Sequence, residues 1–136
     1  MNGIMEEIAL EQKKLLIVED DTDTIEMLSL FFEKEGYQVL STAWGQDALT
    51  LCRELLPDVV LLDIRLPDID GFEICQQLHD SFETSHIPVI CLTEKREQTD
   101  RIEGLEAGAI DYVTKPFNLQ ELKLRVRNAL KRTAYW

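Results

Sequence analysis

The chain has 136 residues, enough for one domain of ordinary size and too few for two independent cores. Hydrophobic residues make up 45% and aromatics 7%, a globular composition that excludes a disordered or collagen-like chain. With 26 Asp and Glu against 14 Lys and Arg the formal charge is −12, which repels a phosphate backbone and argues against direct nucleic-acid binding.

Residues 1–12 read as an N-terminal extension. They carry Glu6, Glu7 and Glu11 without an apolar block, so they do not form a secretory signal. No stretch approaches a membrane-spanning length, and the cytoplasm is the expected location. From there to Arg132, short apolar runs alternate with segments of helical period, the pattern of a parallel sheet. The runs are Leu15 to Val18, Gln38 to Ala43, Val59 to Leu62, Val89 to Leu92 and Asp111 to Val113. They are rich in Val, Ile and Leu with little polar alternation, as strands covered on both faces are.

Between the strands, Ile25, Leu28 and Phe32 mark one buried helix face, Ala48, Cys52 and Leu55 a second, and Phe72, Cys75 and Leu78 a third. Ile102, Leu105 and Ala109 predict a fourth helix, and Leu119, Leu122, Val126 and Leu130 a fifth. Residues 13–132 therefore predict a doubly wound, flavodoxin-like α/β domain with five helices, followed by a tail over 133–136. Right-handed crossovers favour the strand order 2-1-3-4-5, with its crevice between strands 1 and 3. Cys52, Cys75 and Cys91 form no CxxC pair and read as small buried residues. His79 and His86 have no ligand spacing and read as solvated or core-edge.

Ligands of such sheets sit at the carboxyl ends of the strands. Strand 1 ends in Glu19, Asp20 and Asp21, strand 3 in Asp63, strand 4 in Thr93, and strand 5 in Thr114 and Lys115. Glu19, Asp20 and Asp63 would converge on the crevice, where like charges repel and raise one another's pKa unless a cation joins them. A hard dication such as Mg²⁺, which takes one or two carboxylates and fills its shell with water and phosphate oxygens, fits that set. Lys115 adds a fixed positive charge. For any one of these residues the plainer explanation is a strand end leaving the core. The whole set is harder to explain that way.

The strings KKLLIVEDD, PDVVLLDIRLPDIDGFE, IPVICLTE and GAIDYVTKPF occur in that order. Together they resemble the receiver domains of two-component response regulators over residues 13 to 132. The resemblance implies that Asp63 is the phospho-acceptor, that Glu19 and Asp20 hold Mg²⁺, and that Arg65 lends the metal its backbone carbonyl. It implies that the Thr93 hydroxyl and Lys115 meet the phosphoryl group, that Tyr112 swings inward on activation, and that the Lys115–Pro116 peptide is cis. The implied donor is a sensor histidine kinase or a histidine phosphotransfer protein. The implied role is a phosphorylated regulator that assists its own phosphoryl transfer and dephosphorylation, not an enzyme acting on other substrates.

Without the motifs, Tyr112 would read as an ordinary half-buried tyrosine and Thr93 as a β-branched strand residue. Pro67, Asp70 and Gly71 read as turn residues. In the last helix Lys123, Arg127 and Lys131 form one stripe, ordinarily a solvated face. The resemblance also implies a homodimer through the fourth helix, fifth strand and last helix, in which this stripe would pair with Glu103, Glu106 or Asp111 of a second copy. Three positions depart from the commonest receiver pattern. Glu94 stands where a small residue usually leaves the phosphoryl site open, Arg65 follows the acceptor by two, and Ile110 replaces a frequent acid. Glu94 supports an alternative, a phosphorylation-deficient pseudo-receiver acting as an interaction module. An aspartate-nucleophile phosphohydrolase is disfavoured by Arg65, where its second acid would stand. A flavodoxin-like cofactor protein is disfavoured by the lack of a phosphate-cradling glycine loop. The chain ends just past the last helix, consistent with a stand-alone receiver or a fragment of a longer regulator.

Overall fold

The computed structural model describes residues 12–94, 102–103 and 105–134. Five parallel strands, β1 (Lys14–Val18), β2 (Gln38–Thr42), β3 (Val59–Asp63), β4 (Val89–Thr93) and β5 (Asp111–Thr114), form one sheet in the order β2-β1-β3-β4-β5. The register aligns Val18 with Leu62 and Thr93 with Thr114, so the strands finish together at one edge. Four helices are bounded among the described residues: α1 (Thr22–Lys34), α2 (Gly45–Leu55), α3 (Gly71–Asp80) and α4 (Leu119–Ala134).

Alternation along each strand sends side chains to two cores. Leu16, Val18, Val60, Leu62, Val89 and Cys91 pack with residues of α2 and α3. Leu15, Ile17, Val59, Leu61, Ile90 and Leu92 pack with residues of α1 and α4. The three cysteines are free and buried, and burial pushes the Cys52 thiol up to about 12, so it packs as an apolar residue.

Helix starts are fixed by carboxylate and amide side chains that take orphan N–H groups. Asp21 caps α1 by accepting from the Thr24 amide at 3.1 Å, and Asp70 caps α3 by accepting from the Phe72 amide at 2.8 Å. Asn118 accepts from the amides of Gln120 and Glu121 at the start of α4. Trp44, the residue before α2, offers no such side chain. Asp68 supplies the cap from the β3–α3 connection, accepting from the Gly45 and Gln46 amides at 2.8 and 3.0 Å. That bond ties the loop after Asp63 to the start of α2.

The sequence expectation of five helices is met by four bounded ones. In the segment between β4 and β5, residues 102–103 and 105–106 are helical, and 95–101 and 104 lie outside the described residues. The buried face expected there is also corrected. Ile102 and Leu105 are 46% and 47% exposed, whereas Ala109 reaches the core as expected, together with Ala107. Leu55 likewise points outward at the last turn of α2. Spacing identifies one face of a helix, but it does not identify which end of that face the neighbouring layer covers. The N-terminal extension lies outside the described residues except for Gln12. The last helix runs through Ala134, past the expected boundary at Arg132.

Candidate functional site

The chain leaves β1 toward β2 on one side, and β3 lies on the other. The loops leaving β1 and β3 therefore diverge and open a cleft at the carboxyl edge of the sheet. That cleft has a volume of about 300 Å³, and Glu19, Asp20 and Asp63 are among the acids that line it. One carboxylate oxygen from each of the three lies within 4.8 Å of the others.

Their surroundings differ. Glu19 is fully buried directly after β1, its amide donating to the Thr42 carbonyl at 3.0 Å. One carboxylate oxygen accepts from the Asp20 amide at 3.2 Å. The other accepts from Lys115 Nζ at 2.5 Å. Asp63 is buried at the end of β3, with Oδ1 accepting from the Arg65 amide at 2.9 Å and Oδ2 from Lys115 Nζ at 3.0 Å. Asp20 is exposed at the mouth of the cleft. Lys115 thus reaches two carboxylates that lie 96 and 52 residues away in sequence.

The electrostatics follow from burial and proximity. Desolvation first, then the hydrogen bond and charge of Asp63, push the Glu19 carboxyl up to about 8 against the pull of Lys115. Burial opposes the charge of Lys115, but Glu19 and Asp63 together hold it above the ordinary lysine range. Among the described residues Lys115 is the one ammonium paired with these acids, which leaves room for a further cation. The donor set, three carboxylates with nothing softer among the described residues of the cleft, matches the oxygen preference of Mg²⁺.

Thr93 is buried at the end of β4, and its carbonyl accepts from the Lys115 amide at 2.6 Å. The backbone of the lysine is thereby tied to the strand that carries the threonine. The Lys115–Pro116 peptide is cis, as the motif implied. Tyr112 lies in β5, half-buried against the core formed with α2 and α3, rather than in the cleft. Arg65 lines the cleft with an exposed side chain, and its backbone pairs with Asp70 across the β3–α3 connection.

The sequence reading brought Glu19, Asp20, Asp63, Arg65 and Lys115 to this cleft, and the structure places all five there. It named Asp21 at the end of strand 1 without drawing it into the converging set, and it did not include Thr24; both also line the cleft. The signal was present, since Asp21 followed three residues later by Thr24 is a helix-cap spacing that puts both at the cleft edge. Glu94 lines the wall, adding another carboxylate near Lys115. His79 and His86 are exposed and distant from these residues in the fold, as expected.

The family model described as the response regulator receiver domain matches residues 15–127. The DNA-binding dual master transcriptional regulator RpaA of Synechocystis is 40% identical over 120 residues, which is 88% of this chain and 50% of that protein. The chain thus spans about half the length of the curated relatives it matches. A receiver domain protein from Methanospirillum hungatei superposes with a TM-score of 0.86 at 28% identity, covering 92% of this chain and 98% of that one. The receiver domain of the sensor histidine kinase PA1611 from Pseudomonas aeruginosa, solved with magnesium coordinated in its active-site cleft, gives 0.82 at 29% identity over 88% of this chain and 98% of that one. Strand order, the acidic cleft with its lysine and the match over residues 15–127 lead to one assignment: the chain belongs to the response regulator receiver domain family of two-component systems.

Proposed function

We propose that this domain is a cytoplasmic phospho-accepting switch in which Asp63 takes a phosphoryl group from a sensor histidine kinase or a histidine phosphotransfer protein. The observation that carries the reading is the buried Asp63 carboxylate, fixed by the Arg65 amide and Lys115 beside two further acids. A carboxylate is a weak nucleophile, so rate must come from placement and from charge around the transferring group. An Asp63 oxygen forms the new O–P bond while the N–P bond of the donor phosphohistidine breaks, its electron pair leaving with the imidazole nitrogen. Lys115 then moves its partnership from the Asp63 carboxylate to the phosphoryl oxygens.

A Mg²⁺ held by Glu19, Asp20 and Asp63, with the Arg65 carbonyl, would supply electrostatic stabilisation of those oxygens. Attack of water on the phosphorus would return inorganic phosphate and the free Asp63 carboxylate, so the domain assists its own dephosphorylation. The Thr93 hydroxyl, buried one strand away, is the group suited to move toward the phosphoryl oxygens. The space it leaves lets Tyr112 turn inward, a shift between two packings of β4 and β5.

Intact mass after incubation with a small-molecule phosphodonor tests the reading. Wild type should gain one phosphoryl group with Mg²⁺ and none with chelator, and Asp63→Asn none in either case. A folded wild type that gains nothing beside a working control receiver would replace this reading with the pseudo-receiver, for which Glu94 in the cleft wall is the specific support.

A further inference from the structure

At the other end of the strands from Asp63 a groove of about 340 Å³ runs between α4 and the α1–β2 corner. Lys13, Lys123, Arg127 and Lys131 line it, and among the described residues of its lining Glu35 is the one carboxylate. Lys123 bridges Glu35 at 2.9 Å, so that acid is already taken. Lys13, Arg127 and Lys131 are exposed and make no ion pair among the described residues. The floor between them is formed by Tyr37 and Leu130, and the Tyr37 ring stands edge-on to Phe32 at 5.6 Å, which fixes it. In a chain of net charge −12, this is a local reversal of sign.

The basic stripe of the last helix therefore faces α1, not β5. Asp111, a residue that a second copy's stripe could have met, is held by Arg125 of its own chain in a two-oxygen contact at 2.8 Å. Cations four residues apart along a helix repel one another when unpaired. Lys123, Arg127 and Lys131 span about 12 Å of α4 at 1.5 Å per residue. Such a row suits an elongated partner better than a compact ion, and the apolar floor calls for a side chain to cover it.

We propose that this groove docks an acidic amphipathic segment of a partner protein, with carboxylates spaced about four residues apart on a helix and one apolar side chain seated on Tyr37 and Leu130. Charge complementarity selects the partner. The placement leaves the Asp63 cleft open, so this surface and phosphoryl transfer can be occupied together.

The test is fluorescence anisotropy with a labelled, end-capped helical peptide carrying Glu at every fourth position beside a Leu, against the full chain. Binding should weaken at least about tenfold in the double variant Arg127→Glu/Lys131→Glu and fall steeply with added salt, because both replaced residues are exposed and carry the charge. Circular dichroism verifies that this variant is folded. Equal affinity for the double variant, equal affinity for a peptide with Lys in place of Glu, or no binding to the wild type would overturn the proposal. Binding that emerges only in the full chain carrying Glu6→Lys, Glu7→Lys and Glu11→Lys would also overturn it, in favour of an occupant from the chain itself.

Discussion

Asp68 holds α2 by its first two amides from a position no local pattern connects to that helix, which makes it a sensitive test of the assembly. Those two amides, which donate to it, keep its carboxyl below the usual aspartate range. A carboxyl lowered in the folded state adds stability that is complete above its unfolded pKa and lost as pH falls through its folded one. Asp68→Ala should therefore lower the melting temperature near neutral pH. The gap to wild type should close as pH falls below the ordinary aspartate range, as thermal unfolding across pH would show. Lys115 gives a second test at this scale. Its ammonium competes with any dication for Glu19 and Asp63, so Lys115→Ala should bind Mg²⁺ more tightly by calorimetry and yet accept phosphoryl groups more slowly. Loss of both properties would mean that the lysine only holds the loop in place. The carboxylates and the lysine were legible in sequence because each ends a strand whose apolar run is unmistakable. Asp68 was not, because its partners are 22 and 23 residues upstream and only the fold brings them together.

Within the elements, Gly71 shows how tightly α3 is set against the end of β3. A Cβ there would lie 2.3 Å from the Ile64 Cα and 2.7 Å from the Asp63 carbonyl oxygen, both backbone atoms that cannot turn away. Gly71→Ala should therefore destabilise the domain by roughly 1–3 kcal/mol in urea unfolding and slow phosphorylation by displacing Asp63. Full stability in that variant would show that α3 can slide without cost. Sequence identified Gly71 only as a turn residue, since the pattern of a turn does not reveal what its missing side chain makes room for. The three helix faces marked by Leu28 and Phe32, by Ala48 and Cys52, and by Phe72, Cys75 and Leu78 were legible because those residues are buried against strands on a regular period. The face drawn through Ile102 and Leu105 failed because the same spacing occurs on an apolar surface left open to solvent.

For the whole molecule, the dominant fact is the excess of acid. A net charge of −12 on a compact chain opposes folding by self-repulsion, and screening at about 0.15 M salt, where the Debye length is about 8 Å, should raise the melting temperature. Mg²⁺ should do more than NaCl at the same ionic strength. The excess would measure occupancy of the cleft, because a ligand that binds only the folded state stabilises it by about 1.4 kcal/mol at ten times its dissociation constant. Asp20 is the residue that separates the two effects. It is exposed and makes no ion pair among the described residues, so Asp20→Asn should leave the fold and the general salt response intact. The Mg²⁺ increment should shrink toward the NaCl curve. If that increment survives Asp20→Asn unchanged, the dication stabilises the chain by diffuse screening or from another acidic surface, and the cleft loses its place as the metal site. If it disappears while the NaCl response stays, the fold's acidity divides into two parts: a general surface charge that salt can mask, and a small cluster at the switch point of the sheet that calls for a specific ion.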